Sequence, residues 1–148
     1  MPIGYRLDKT LGLTAVVWDG AVTGDEAEGH VRRLVADPDW PPGLSHVLDT
    51  TTALSIPNVA NTKLVEMLVD AAYGRRIRFA LVAMAGFPEA ARFQRAVLAG
   101  GVMDVLVFGD LLTACTWLGS DLAAVRTTLG TLRRDLRRSR TYETPETN

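Results

Sequence analysis

The chain has 148 residues, 47% of them hydrophobic, and a formal net charge of -1, which fits one soluble domain with its own core. Sixteen Lys and Arg against seventeen Asp and Glu argue against nucleic acid as an obligate partner, because proteins that bind it usually carry a basic excess. The single cysteine, Cys115, excludes an intramolecular disulfide and a cysteine-based zinc cage. The N-terminus lacks a signal-peptide core and no apolar run approaches the roughly 20 residues of a membrane span, so we expect a cytoplasmic protein.

Two short strands open the chain. Residues 5–8 and 13–18 are predicted strands, and residues 9–12 form a short connection between them. Gly12 in this connection can adopt a positive φ without steric cost. The sequence therefore predicts an antiparallel hairpin at the start of the sheet.

The first predicted helix begins at a capping box. The Thr23 side chain can accept a hydrogen bond from the backbone three residues on, and Glu26 can reach back. An apolar stripe at helical spacing follows, formed by Ala27, Val31, Leu34 and Val35. Residues 37–43 end this helix, and we expect Trp40 among them to pack on the rim of the sheet rather than form an exposed platform.

A short apolar strand at residues 45–48 ends abruptly at Asp49, and a polar turn follows. Asp49 can cap this turn through an Asx-type bond, and Ser55 can serve as the N-cap of the next helix. In open α/β sheets, ligand and partner sites gather where parallel strands end. We therefore expect the functional surface to comprise the turn from Asp49 to Asn58 and the helix after it.

Helices and strands then alternate up to residue 118. Strands are predicted at residues 77–83 and 102–108, and Gly109 and Asp110 precede a fourth helix. The element order is β-β-α-β-α-β-α-β-α. This order predicts an α/β fold with a mostly parallel central sheet that opens with an antiparallel hairpin. We assign residues 1–118 to this domain.

One more helix, amphipathic, is predicted at residues 119–138. Its apolar residues repeat at steps of three and four, as in a heptad seam: Leu122, Val125, Leu129, Leu132 and Leu136. Because four helices already serve the faces of the sheet, we favour a homodimer in which this seam meets its copy. The alternative is a helix folded back on its own sheet. Residues 139–148 are polar and are predicted to be a disordered tail.

Six short sequence strings follow one another in a characteristic order and spacing between about residues 5 and 118. They are WDGAVTGDE at 18–26, DPDWPPG at 37–43, HVLD at 46–49, RFALV at 78–82, ARF at 91–93 and VLVFGD at 105–110, the last followed by Ala114, Trp117 and Leu118. In order and spacing they resemble the SpoIIAA-like branch of the STAS domains, the fold of anti-sigma-factor antagonists. The resemblance implies a small α/β domain with a central sheet, usually without catalysis.

The chain departs from this family at the regulatory serine. Regulated STAS antagonists carry an Asp-Ser-Ser-Gly type string after the central strand, and an anti-sigma kinase phosphorylates its serine. Counted on from Asp49, that place falls near Pro57 and Asn58, neither of which can be phosphorylated. The departure argues against a kinase-controlled switch.

No catalytic constellation stands out in the sequence. His30 and His46 have no visible nucleophile partner, and metal-ligand spacing such as His-x-x-x-His is absent. Asp49 could cluster with Asp19 or with Asp110 at one edge of the sheet, although an Asx bond explains Asp49 without a ligand. We therefore expect no catalytic residue, no metal and no cofactor.

These patterns favour a non-enzymatic STAS-like regulatory domain that binds a protein partner. The candidate contact residues are Asp49, Thr51, Ser55 and Asn58. A hydrolase that uses Asp49 and Ser55 is the weakest interpretation, because the sequence shows no general base to activate the serine.

The main alternative is a binder of a small apolar ligand or lipid, with an architecture loosely like that of CRAL-TRIO domains. Four aromatic residues could line its pocket: Phe79, Phe87, Phe93 and Trp117. A packed core in place of a cavity would argue against this alternative.

Overall fold

A computed structural model of the protein describes residues 2–55, 66–68, 70–71, 75–84, 94–95 and 103–143. Five strands form one sheet in the order β1-β2-β3-β4-β5. They are β1 (Ile3–Asp8), β2 (Leu13–Ala21), β3 (Ser45–Ser55), β4 (Ile77–Val82) and β5 (Met103–Phe108). β1 and β2 are antiparallel, and every other pair is parallel, so the predicted α/β sheet with an opening hairpin is confirmed.

The described helices are α1 (Gly24–Ala36), α2 (Leu111–Leu118) and α3 (Leu122–Glu143), and helical residues also occur at 66–68, 70–71 and 94–95. The capping box of α1 is present: Glu26 N donates to Thr23 Oγ1 at 3.2 Å, and Thr23 N donates to Glu26 Oε1 at 3.0 Å. Gly12 has the expected positive φ, 61°. Among the described helices, none is long and apolar enough to cross a membrane.

The sheet separates two apolar layers. Alternate side chains of β2 enter opposite layers: Val16 and Trp18 pack on the side of α1, and Ala15 and Val17 pack on the side of α2 and α3. Trp40 is buried in the α1 layer, as its predicted packing role requires. Both faces of the sheet are therefore covered, which explains the nearly continuous apolar run of β4.

The C-terminal helix α3 packs on the sheet of its own chain. Its seam residues Val125, Leu129, Leu132 and Leu136 are all buried in the second layer. Gly4 in β1 permits this close approach, because a Cβ there would lie 3.3 Å from Leu136. The fold-back alternative is what the structure adopts. Because the seam is covered within one chain, its need for a covering surface is no longer a reason to expect a homodimer.

Two boundaries differ from the sequence-based expectation. α3 continues to Glu143, so residues 139–143, expected to be disordered, are helical. Arg140 in this part is held by hydrogen bonds to Asp19, which the sequence does not reveal. β3 continues to Ser55, so the polar turn expected after Asp49 is instead the second half of a strand. Its Thr residues are β-branched and favour extended backbone, and they pair with the end of β2.

Candidate functional site

One buried carboxylate lies near the carboxyl end of β2 and another in the middle of β3, and both meet arginines from α3. Asp19 and Asp49 are 4% and 6% exposed. Such burial is costly for a carboxylate unless it is paired and hydrogen-bonded. We call the group that satisfies them the carboxylate–arginine cluster; it comprises Asp19, Asp49, Thr52, Arg133, Arg137 and Arg140.

Both carboxylate oxygens of Asp49 are engaged. Oδ2 accepts from Arg133 Nη2 at 2.7 Å, and Oδ1 accepts from Thr51 N at 2.9 Å and from Thr51 Oγ1 at 2.6 Å. The Asx-type bond expected for Asp49 is thus present, but inside a strand. Arg133 Nε also donates to Thr52 Oγ1 at 3.1 Å, which ties α3 to β3 at two points.

A bulge in β3 makes this double contact possible. Val17 of β2 pairs with Asp49, but Asp19 pairs with Thr52, so β3 contains one extra residue over this interval. In a regular strand, Asp49 and Thr52 would point to opposite faces. The extra residue places both on the α3 side, where Arg133 reaches them.

Asp19 is held by two arginines. Arg137 donates through Nε and Nη2, both at 3.2 Å, in a bidentate pair, and Arg140 donates to the same carboxylate and to the Asp19 carbonyl oxygen. Burial alone would raise the pKa of Asp19, but hydrogen bonds led by that from Arg137 outweigh it and hold the pKa well below its usual value. Gly20 has a φ of 85°, and a Cβ there would lie 3.0 Å from Arg140 Nη1, so glycine suits this position.

The structure places Asp19 and Asp49 under one helix and keeps Asp110 apart. Asp110 caps α2, where its Oδ1 accepts from Thr113 N at 2.7 Å. The other predicted contact residues are spread out: Thr51 is half-buried beside Asp49, Ser55 is exposed at the end of β3, and Asn58 lies outside the described residues. The proposed N-cap function of Ser55 concerns a helix start that also lies outside them.

Large apolar side chains are exposed at the same end of the sheet. Leu54 at the end of β3 is 79% exposed, Met84 just after β4 is 58% exposed, and Leu112 at the start of α2 is 59% exposed. Leu54 lies two residues beyond Thr52, which accepts from Arg133, so it is next to the carboxylate–arginine cluster along the chain. Sequence reasoning expected polar residues to form the surface here and missed Leu54.

The two histidines are buried on the opposite layer and have structural surroundings. The His46 ring stacks on Phe79 with centroids 4.2 Å apart, and the His30 ring lies 5.7 Å from that of Tyr5. Burial lowers the pKa of His30 to about 4 and that of His46 to about 3. Both are therefore neutral at physiological pH, which does not suit a proton-transfer role there.

The aromatic residues proposed to line a ligand pocket do not share one. Phe79 belongs to the α1 layer, whereas Trp117 packs on the opposite layer beside Phe108. Phe87 and Phe93 lie outside the described residues. A shallow pocket of about 270 Å³ does lie near the β5 edge, lined by Arg78, Asp104, Val105, Leu106 and Trp117.

The described ranges contain no group of three His, Cys, Asp or Glu placed to hold a metal ion. Cys115 is buried in the second layer, and burial raises the pKa of its thiol, as expected for a packing residue. The arginines of α3 were visible in the sequence as a charged run. Their carboxylate partners lie 84 to 121 residues away, so no local pattern in the sequence indicates which carboxylates they bind.

Comparison with models of known protein families gives no match, and comparison with curated protein sequences gives none. A comparison with solved structures finds an uncharacterised protein of the DUF3478 family from Shewanella loihica PV-4, described as having a SpoIIAA-like fold. The two chains are 16% identical, with a TM-score of 0.51 over 78% of this chain and 93% of the other. The chain therefore has a SpoIIAA-like fold, as the sequence resemblance predicted.

Proposed function

We propose that this protein is a non-enzymatic, STAS-like regulatory domain that binds another protein at the carboxyl ends of β3 and β4. The observation that carries the proposal is Leu54, a leucine that is 79% exposed at the end of the central strand. Met84 adds a second exposed apolar side chain where the neighbouring strand ends. Sites in open α/β folds gather at this end of the sheet.

The carboxylate–arginine cluster supports a binding role because it fixes the strand end. Arg133 joins α3 to Asp49 and Thr52, so the backbone that presents Leu54 is anchored a few residues away. A surface that is already ordered loses less conformational entropy on binding than a flexible loop does. In this proposal Asp49 positions the strand, and Thr51 and Ser55 remain candidate contacts on the same strand as Leu54. Asn58 remains a candidate contact from the sequence alone, because it lies outside the described residues.

The same geometry gives no support to catalysis. Both oxygens of Asp49 accept hydrogen bonds, so this carboxylate is not free to act as a general base towards Ser55. His30 and His46 are buried away from the strand ends among aromatic rings. These observations favour binding over hydrolysis for the residues considered.

Site-specific photo-crosslinking tests the proposal. A photoreactive amino acid is placed at position 54 and, as a matched control, at position 44, where Leu44 is 54% exposed just before β3 at the opposite end of the sheet. We expect position 54 to crosslink one protein in the native host, identified by mass spectrometry, that position 44 does not. Equal products at both positions, or none at position 54, would contradict the proposal.

A further inference from the structure

Strand β5 is partly uncovered on the side of the sheet that carries α2 and α3. α3 lies over β1 and β2, whereas the eight-residue α2 lies over β4 and β5. Val105 and Val107 face the α1 layer, so Asp104 and Leu106 face the side of α2. Leu106 is nevertheless 38% exposed, because α2 covers only part of this edge strand. The uncovered part borders the pocket of about 270 Å³ near β5.

This pocket combines apolar surface with a guanidinium group. We call it the β5-edge pocket; it is lined by Arg78, Asp104, Val105, Leu106 and Trp117. The Arg78 guanidinium lies 5.7 Å from the centre of the Trp117 ring, within the range of a cation–π contact. Its Nη1 also donates to the Trp117 carbonyl oxygen at 3.0 Å. These two contacts hold the guanidinium at the pocket and leave its other N–H groups without a partner among the described residues.

The charged side chains at the pocket leave a positive excess. Asp104 accepts from Arg76 in a bidentate pair, from Nε at 2.9 Å and from Nη2 at 2.8 Å. The hydrogen bonds from Arg76, followed by the attraction of Arg78, lower the pKa of Asp104, so this carboxylate is ionised at physiological pH. Arg78 itself has no ion pair with any residue that the structure describes. One carboxylate therefore serves two guanidinium groups, and the charge of Arg78 is left for an anion.

We propose that the β5-edge pocket binds a small organic anion, a carboxylate attached to a flat apolar body. The planar fork of a guanidinium matches a carboxylate, and the apolar body can lie against Leu106 and Trp117. The pocket has the volume of about nine water molecules in the liquid, which suits one aromatic ring that bears a carboxylate. Arg78 and Asp104 are the second residues of parallel strands, so the pocket lies at the opposite end of the sheet from Leu54. Each proposal can therefore fail without the other.

NMR titration of the tryptophan indole N–H signals with benzoate tests this inference. The chain has three tryptophans, and Trp18 and Trp40 are buried in the α1 layer, so Trp117 reports on the pocket. Trp117→Phe identifies its signal. We expect benzoate to shift this signal along a saturating curve with a Kd on the order of 1 mM, a value suited to a ligand of about nine non-hydrogen atoms in a shallow pocket. Benzamide, which has the same shape without the charge, and benzylamine, which is a cation, should each bind at least fivefold more weakly.

Arg78→Gln removes the charge assigned to the anion, and Arg6→Gln, on the opposite edge strand β1, is the matched control at an exposed position. We expect Arg78→Gln to weaken benzoate binding at least fivefold and Arg6→Gln to leave it within twofold of wild type. Unchanged Trp18 and Trp40 signals show that a variant is folded, and the comparison of benzoate with benzamide needs no variant. Four outcomes would overturn the inference: no saturable shift of Trp117, equal shifts of all three indole signals, benzamide or benzylamine binding as tightly as benzoate, and equal loss in the two variants.

Discussion

Leu129→Ala probes whether α3 folds on its own sheet. Leu129 is 2% exposed and lies in the layer that α3 shares with β2. The substitution removes three carbon atoms, which at about 0.8 kcal/mol for each buried methylene amounts to roughly 2.4 kcal/mol. The cavity left behind adds to this, so we expect the free energy of unfolding to fall by about 3 kcal/mol. Leu112→Ala is the control, since it removes the same atoms from a helix position that is 59% exposed and should cost less than about 1 kcal/mol.

Urea unfolding followed by circular dichroism measures both variants, at two protein concentrations tenfold apart. If the seam is buried within one chain, the midpoints of wild type and Leu129→Ala do not depend on concentration. In a dimer held by the seam, the wild-type midpoint would rise with concentration, and Leu129→Ala would abolish that rise. That result, or a loss below about 0.5 kcal/mol in Leu129→Ala, would refute the packing of α3 described above.

Three further predictions concern the cluster, the histidines and the strand end. Asp49→Asn and Arg133→Gln, made singly and together, should show a coupling energy of about 1–3 kcal/mol in urea unfolding. The 21% exposure of the Arg133 side chain weakens the ion pair and so limits this energy. Additive effects of the two substitutions would contradict the pairing of Asp49 with Arg133. Burial lowers the pKa values of His30 and His46 from 6.5 to about 4 and about 3, so on acidification the unfolded chain takes up protons at these histidines before the folded chain does. The free energy of unfolding should therefore fall by about 4 kcal/mol between pH 7 and pH 5. A free energy of unfolding that does not change over this range would contradict the burial of the two neutral rings. Intact-mass spectrometry of protein from the native host should detect no stoichiometric phosphorylation between Thr50 and Thr62, and a dominant added phosphate there would restore the kinase-switch interpretation.

The sequence predicted the order and type of the elements because hydrophobic periodicity and caps are local. It placed the end of the third strand wrongly because Thr50 and Asp49 are polar residues of the kind that form turns. In the structure both are buried: Thr50 Oγ1 donates to the Val82 carbonyl oxygen at 2.9 Å, and Asp49 meets Arg133. Such residues extend a strand only when distant partners satisfy them, and those partners are invisible locally.

The position of α3 depended on the same kind of distant information. An apolar seam indicates that the helix must be covered, but the surface that covers it can belong to either chain. Here α2 has only eight residues and α1 lies on the other face, so the second face of β1 and β2 is free to receive α3. The carboxylate–arginine cluster follows from that placement, since Arg137 and Asp19 are 118 residues apart in sequence.

The measurement that tests the proposed function most directly is the affinity of the crosslinked protein, once purified, for wild type, Leu54→Asp and Leu44→Asp by isothermal titration calorimetry. Burying a leucine is worth about 1.5–3 kcal/mol, which corresponds to roughly a 10- to 150-fold change in Kd. We expect Leu54→Asp to weaken binding by at least tenfold and Leu44→Asp to leave Kd within twofold of wild type. Unchanged affinity in Leu54→Asp, or an equal loss in both variants, would contradict binding at the carboxyl ends of β3 and β4.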